Sequence, residues 1–268
     1  MKFAVCSEIF DAPIEETLKT AGELGFDGVE IAPFNLTDNV ENVPASRRKE
    51  LRSAADSAGI QISGLHWLLL TPKGLHATTP DDTLRQRTWK YVEALVDFCA
   101  DLGGEFLILG SPGQRNLVED DTLDRAIDRV VPHLRDVGDV AARRGVTFCL
   151  ETLEPPQTPY LNRIEDTKEL LEKVDHPHVN FMLDTRVMEI MTGDAPGVIR
   201  KYGARASYFH ANQPDGRGPG MGDYDFRPVF KALDEVDYSG WVSVEPFDYT
   251  PDGVTIARTA LQTLRDAR

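Results

Sequence analysis

Four segments of the chain end an apolar run on a side chain able to bind a metal ion: TFCLE on Glu151, NFMLD on Asp184, SYFH on His210 and WVSVE on Glu245. Two glutamates, one aspartate and one histidine, each closing a separate strand, make a donor set for one divalent cation. Oxygen ligands with a single imidazole suit Mn²⁺, Mg²⁺ or Co²⁺ better than a structural zinc, which takes more Cys or His. The imidazole favours Mn²⁺, with Mg²⁺ and Co²⁺ as alternatives. Taken singly, an acid at a strand end also reads as a helix cap or a loop salt bridge, and His210 as a core imidazole. Four strand ends in register are what favour the metal.

Bringing such dispersed residues together takes a repeating fold. Short apolar runs alternate with longer amphipathic segments throughout, which implies successive βα units and a parallel sheet. Strands are expected at KFAVCS, FDGVEIA, IQISGLHWLLL, EFLILGSPG, GVTFCLET, HPHVNFMLDT, RASYFHAN and WVSVEPF, each followed by a helix. The first helix opens near Pro13 and stops at Gly25, Gly59 ends the second, Pro132 marks a kink or joint in the fourth, and APGVIRKYG is the sixth. Eight strands and eight helices over residues 1–268 fit a single TIM-barrel domain, whose catalytic residues sit at the C-terminal strand ends. A doubly wound open sheet is the competing α/β fold, but no GxGxxG follows the first strand. The Gly- and Pro-rich stretch from Asn212 to Asp225 is too short for a linker and reads as a loop that shapes a site.

Composition narrows the partners. Asp plus Glu outnumber Lys plus Arg by 44 to 29, a formal charge of -15, so the surface repels phosphate backbones and nucleic-acid binding is not expected. The three cysteines have no metal or redox spacing and read as reduced core residues. No apolar stretch is long enough to span a membrane and the first residues do not form a secretory signal, so a cytoplasmic location is expected.

With these residues in place, the sequence resembles the sugar isomerase/epimerase family with xylose-isomerase-like barrels, including ketose 3-epimerases and 3-keto-glycoside epimerases. The likeness rests on FDGVEI, ETLEPPQTPYLN, NFMLDT, HANQPDGRGPGMGDYDF and VSVEPF, the glycine-rich segment being the most specific. The resemblance implies a metal on Glu151, Asp184, His210 and Glu245, the two glutamates doubling as the acid/base pair on opposite faces of a sugar, and Arg217 holding a substrate oxygen. A homodimer or homotetramer is a further expectation from the family. The residue types make chemical sense. A cation beside a carbonyl and its neighbouring hydroxyl stabilises the enediolate formed when the intervening proton is removed. Return of a proton to the opposite face epimerises the centre, and return to the adjacent carbon isomerises the sugar.

The chain also departs from the ketose 3-epimerase pattern. A glutamate six residues after the first ligand and a histidine three after the aspartate are replaced by Gln157 and Val187. Gln157 can still bond a hydroxyl and Val187 cannot, so a 3-keto-glycoside or other oxidised sugar is as consistent as a free ketose. Arg186 supplies either a different substrate contact or a surface charge. His66 ends the third strand beside Trp67, where an imidazole and an indole can line a sugar pocket, or in the case of Trp67 pack the core. Glu30, ending the second strand, reads as a structural salt bridge in preference to a partner of a ligand, and Asn212 as a loop-stabilising residue that faces away from the metal. The expected function is a metal-dependent sugar isomerase or epimerase, with a keto-sugar or cyclitol lyase or dehydratase as the alternative on the same site. An abasic-site endonuclease of similar architecture uses three zinc ions and additional histidines absent here, and a non-catalytic sugar binder need not keep both glutamates.

Overall fold

Eight parallel strands close on themselves in the order β1 to β8 in a computed structural model that describes residues 1–118 and 120–268. The strands are β1 (Lys2–Cys6), β2 (Gly28–Ile31), β3 (Gln61–Leu65), β4 (Phe106–Leu109), β5 (Thr147–Glu151), β6 (Val179–Asp184), β7 (Tyr208–Ala211) and β8 (Trp241–Val244). All but their first residues are mostly buried, as expected where a parallel sheet is covered on both faces. Among the described residues the helices are α1 (Ile14–Leu24), α2 (Ala45–Ser57), α3 (Asp82–Leu102), α4 (Leu123–Arg144), α5 (Ile164–Val174), α6 (Thr185–Thr192), α7 (Ala195–Tyr202), α8 (Arg227–Glu235) and α9 (Gly253–Ala267).

The ninth helix relative to expectation is α6, over TRVMEIMT, which starts on the residue after β6 with no turn between them. Its N-cap is Asp184, whose side chain accepts a hydrogen bond from the Val187 N–H at 2.8 Å. A cap that is also a strand-end acid hides the helix start, because the usual polar loop before a cap is missing. The third strand is shorter than its apolar sequence suggests. It ends at Leu65, and Trp67 turns the chain with a positive φ of 50°. Pro132 lies inside α4, which continues on both sides of it.

The chain falls into two compact units. One comprises Met1–Ile31, Ser53–Ser63 and Met182–Arg268. Here β1 pairs with β2 and β8, and β7 with β6 and β8; the registers set Cys6 against Glu30, Asp184 against His210, and His210 against Ser243. Its helix ends follow local chemistry. Gly25 adopts the left-handed conformation that closes α1, and its carbonyl accepts the Arg265 guanidinium of α9 at 2.7 Å. Asp194 and Asp252 cap α7 and α9. The other unit comprises Ala32–Arg52 and Gly64–Phe181. In it β4 pairs with β3 and β5, while Asp81 and Thr122 cap α3 and α4. Phe98, Leu95, Leu134, Phe148 and Leu150 are among its buried apolar residues. No described helix is long and apolar enough to cross a membrane.

Gly64 shows how tightly strand contacts are set. A Cβ there would run into the backbone carbonyl of Phe106 on the paired strand, which cannot swing aside as a side chain could. Gly64→Ala is expected to destabilise the fold by about 1–3 kcal/mol, the usual range for overpacking, read as a lower midpoint in urea at unchanged slope. An unchanged midpoint would mean that the β3–β4 pairing yields more easily than its geometry implies.

Candidate metal centre

His210 is the third residue of β7 and is completely buried. Its Nε2 lies 3.2 Å from both carboxylate oxygens of Glu30, which is also completely buried on β2. An ionised carboxylate only accepts, so this pairing assigns the ring proton to Nε2 and leaves the lone pair on Nδ1. That nitrogen is 2.9 Å from Glu245 Oε2, one residue past β8. A lone pair facing a carboxylate oxygen at this distance is repulsive unless a proton or a cation lies between them. Two ligands about 2.1 Å from one cation and at right angles to each other are about 3 Å apart, so the spacing suits adjacent positions around a metal.

Asp184 is held from two sides. Its Oδ1 caps α6 through the Val187 N–H, and its Oδ2 accepts the Asn212 amide at 2.8 Å. Each oxygen retains a further lone pair for a ligand. Asn212, completely buried, also donates to the Glu245 carbonyl at 3.2 Å and accepts the Arg186 N–H at 3.0 Å. The expectation that Asn212 faces away from the site is therefore wrong. Residues two apart in a strand share a face, so Asn212 turns the same way as His210. The reading of Glu30 also changes, since its partner is His210 and it orients that imidazole as carboxylates orient metal-binding histidines elsewhere.

On β5, Glu151 is 5% exposed. Its Oε2 lies over Gly110, just beyond β4, where any side chain would displace it. Taken together, Glu151, Asp184, His210 and Glu245 each offer one ligand atom, all within 4.8 Å of one another and all buried. A second such set is Cys6, His66, His210 and Glu245. His66 therefore has a ring nitrogen within this distance of two members of the first set. Burial, followed by the charges of Glu30, Glu8 and Glu245, pushes the Cys6 thiol well above the ordinary thiol range. The donor chemistry of the first set, three carboxylates and an imidazole, fits one hard to borderline divalent cation.

The remaining sequence candidates are placed differently. Arg217 is 42% exposed in its side chain and binds its own loop, through Asp215 Oδ2 at 2.6 Å and the Met221 carbonyl. Gln157 is half-buried and donates to Glu154 Oε1 at 2.8 Å. Trp67 is half-buried in the turn after β3. Val187 is buried in the first turn of α6 and contributes its backbone N–H to Asp184. Sequence reasoning passed over Arg115, which lies after β4 at the end of a 3-10 turn (Pro112–Gln114) and is completely buried. In SPGQRN it has the look of a surface loop residue, and no periodicity marks it as enclosed.

Glu30→Gln keeps the shape and an acceptor for Nε2 but removes the charge that orients His210. Its Mn²⁺ affinity is expected to fall 10–100-fold, measured by competition with a fluorescent chelator, with far-UV circular dichroism unchanged. Asn212→Ala, which releases Asp184, is expected to lose affinity over the same range. Wild-type affinity in both variants would remove these two residues from any role in shaping the centre.

Comparison with known proteins agrees with this architecture. The description of the xylose isomerase-like TIM barrel family matches residues 18–267. A probable ketose 3-epimerase of Synechocystis sp. is 26% identical over 236 residues, 88% of this chain and 79% of that protein. The 3-dehydro-D-guloside 4-epimerase of Escherichia coli (strain K12) is 24% identical over 265 residues, 96% of this chain and 95% of that protein. Among solved structures, a D-psicose 3-epimerase crystallised in the presence of D-fructose superposes with a TM-score of 0.87 at 20% identity, covering 100% of this chain and 99% of that one. The chain belongs to the xylose isomerase-like TIM barrel family.

Proposed function

We propose that the protein is a divalent-metal-dependent sugar isomerase or epimerase that moves a proton on a carbon next to a carbonyl of a ketose or keto-sugar. The observation that carries this reading is the presence of two glutamates, Glu151 and Glu245, in one buried four-residue ligand set. Relatives named as sugar epimerases, aligned over most of the chain, support it. The ion assigned to the set is Mn²⁺, with Mg²⁺ and Co²⁺ the alternatives its donors allow.

A cation held there supplies positive charge where the sugar oxygens become negative as the proton leaves. The other steps belong to the chain. One glutamate takes the proton from carbon and the other returns one to the opposite face, or to the neighbouring carbon for an isomerisation. A carboxylate that committed both oxygens to a cation could not act as a base, so these roles would require each glutamate to keep one oxygen available for the proton. Asp184 and His210 complete the ligand set without moving protons, since Asp184 is fixed by Asn212 and the start of α6, and His210 by Glu30. Arg217, Gln157, His66 and Trp67 are assigned to substrate binding. For Arg217 this means exchanging part of its bond to Asp215 for a sugar oxygen.

Incubation of the Mn²⁺-loaded protein in D₂O with free ketohexoses, 3-keto-glycosides and keto-cyclitols tests this reading by proton NMR. The expected outcome is deuterium at one carbon together with a new diastereomer or positional isomer, at rates reduced at least 10²-fold in both Glu151→Gln and Glu245→Gln. Release of water or an aglycone would transfer the assignment to a lyase or dehydratase. Exchange that persists in both variants would exclude the two glutamates. Arg217→Ala is expected to raise KM with metal affinity unchanged. Removal of the ion with a chelator is expected to abolish exchange and its return to restore it.

A further inference from the structure

Arg115 has the largest fully buried side chain among the described residues, and its Nε, Nη1 and Nη2 have no hydrogen-bond partner among them. A charge in that state is costly. Guanidinium groups are retained in protein interiors when carboxylates or phosphates satisfy their five N–H donors, and breaking such a pair typically costs several kcal/mol. Arg115 has only partial compensation. The ring of Tyr160 lies 5.9 Å from its Cζ, within cation–π range. Burial pushes the group down to about 10, opposed by the charge of Glu151, so it remains a cation at neutral pH. The carboxylate of Glu151 belongs to the ligand set described above and is turned over Gly110. It does not hydrogen-bond the guanidinium.

Position gives this residue a further meaning. Arg115 follows β4 and Glu151 ends β5, so both lie at the C-terminal ends of adjacent strands, the end at which barrel enzymes bind substrate. A planar fork of donors beside the reacting centre, enclosed and without a protein acceptor, is matched by an oxyanion with two parallel acceptors. We propose that Arg115 binds an anionic substituent of the substrate, so that the sugar handled at the Glu151 end of the site is a keto-sugar acid or a keto-sugar phosphate in preference to a neutral ketose. This assignment rests on the isomerase or epimerase reading for its keto-sugar, but the anion site stands on the geometry of Arg115 alone. It also accounts for the neutral Gln157 and Val187 where free-ketose recognition would use charged or imidazole side chains. Recognition of a charged group by a fork that otherwise has no partner discriminates strongly, because the analogue lacking that group leaves the buried donors unsatisfied.

The test compares D-glucuronate, D-glucose 6-phosphate and D-glucose by isothermal titration calorimetry on the Mn²⁺-loaded protein, in wild type, Arg115→Met and Arg115→Lys. At least one anionic probe is expected to bind ten-fold or more tightly than glucose, and which of the two does so separates a carboxylate site from a phosphate site. Arg115→Met is expected to abolish that advantage with the weak affinity for glucose unchanged. Arg115→Lys, which keeps the charge but not the fork, is expected to restore part of it, and circular dichroism checks that both variants fold. No advantage for either anion, or the same advantage in Arg115→Met, would overturn the assignment. The deuterium-exchange experiment separates the two readings. Exchange on neutral ketoses without anion preference sinks the Arg115 assignment alone. Anion preference without exchange on any keto acid or keto phosphate sinks the isomerase reading and leaves the anion site standing.

Discussion

The contact on which the candidate centre depends is the buried pairing of Glu30 with His210. Both side chains are completely removed from solvent, so each offsets part of the cost of burying the other. The pairing fixes which nitrogen carries the proton and turns the remaining lone pair toward Glu245. The inner wall beneath is polar to match. Cys6 donates to Glu30, the Ser63 and Tyr208 hydroxyls share a hydrogen bond at 2.8 Å, and the Tyr208 ring meets His210 edge-on at 5.8 Å. Burial and the nearby charge of Glu30 push the Tyr208 phenol well above its usual range, so it stays a neutral donor or acceptor. A fully apolar floor would hold the imidazole in place by shape only. Here hydrogen bonds set its rotation and its tautomer as well.

The surrounding architecture repeats that logic at a larger scale. Parallel register places Asp184 opposite His210 and His210 opposite Ser243, and strand alternation then turns Glu245 the same way as Ser243. The strand ends thus converge without any loop having to fold over to bring a ligand in. Glycine marks where the approach is closest. Gly110 leaves room for the Glu151 carboxylate, and Gly28 avoids the Trp241 indole, which a Cβ would meet at 2.6 Å.

Much of this was legible in the sequence because the signals were periodic. Apolar runs separated by amphipathic segments give the strand count, and a ligand-type residue at the end of a run is noticed because it interrupts the apolar pattern. What escaped was information carried by tertiary burial or by double use of one residue. Helix α6 went unseen because Asp184 ends the strand and caps the helix, leaving no polar spacer to announce a boundary. On sequence alone Glu30 and Asn212 read in the commoner roles of their residue types, and only the positions of His210 and Asp184 reveal what they hold. Arg115 is the extreme case. Nothing in a Pro- and Gly-containing loop predicts that the arginine ending it is completely enclosed.

The hydrogen bonds around Asp184 also bear on how such a protein can change over generations. Asp to Asn is a single-base substitution, and asparagine caps helices about as well as aspartate, so on local grounds it would be an easy change at this position. Here that route is closed. The Asn212 amide donates to Asp184 Oδ2, while its carbonyl is engaged by the Arg186 N–H, so it cannot turn over to accept from a new amide without stranding a backbone donor. A lineage that replaced this carboxylate by an amide would leave two amide donors facing each other unless Asn212 changed as well. Until it did, the polarity of one amide would hold the ligand to an acceptor.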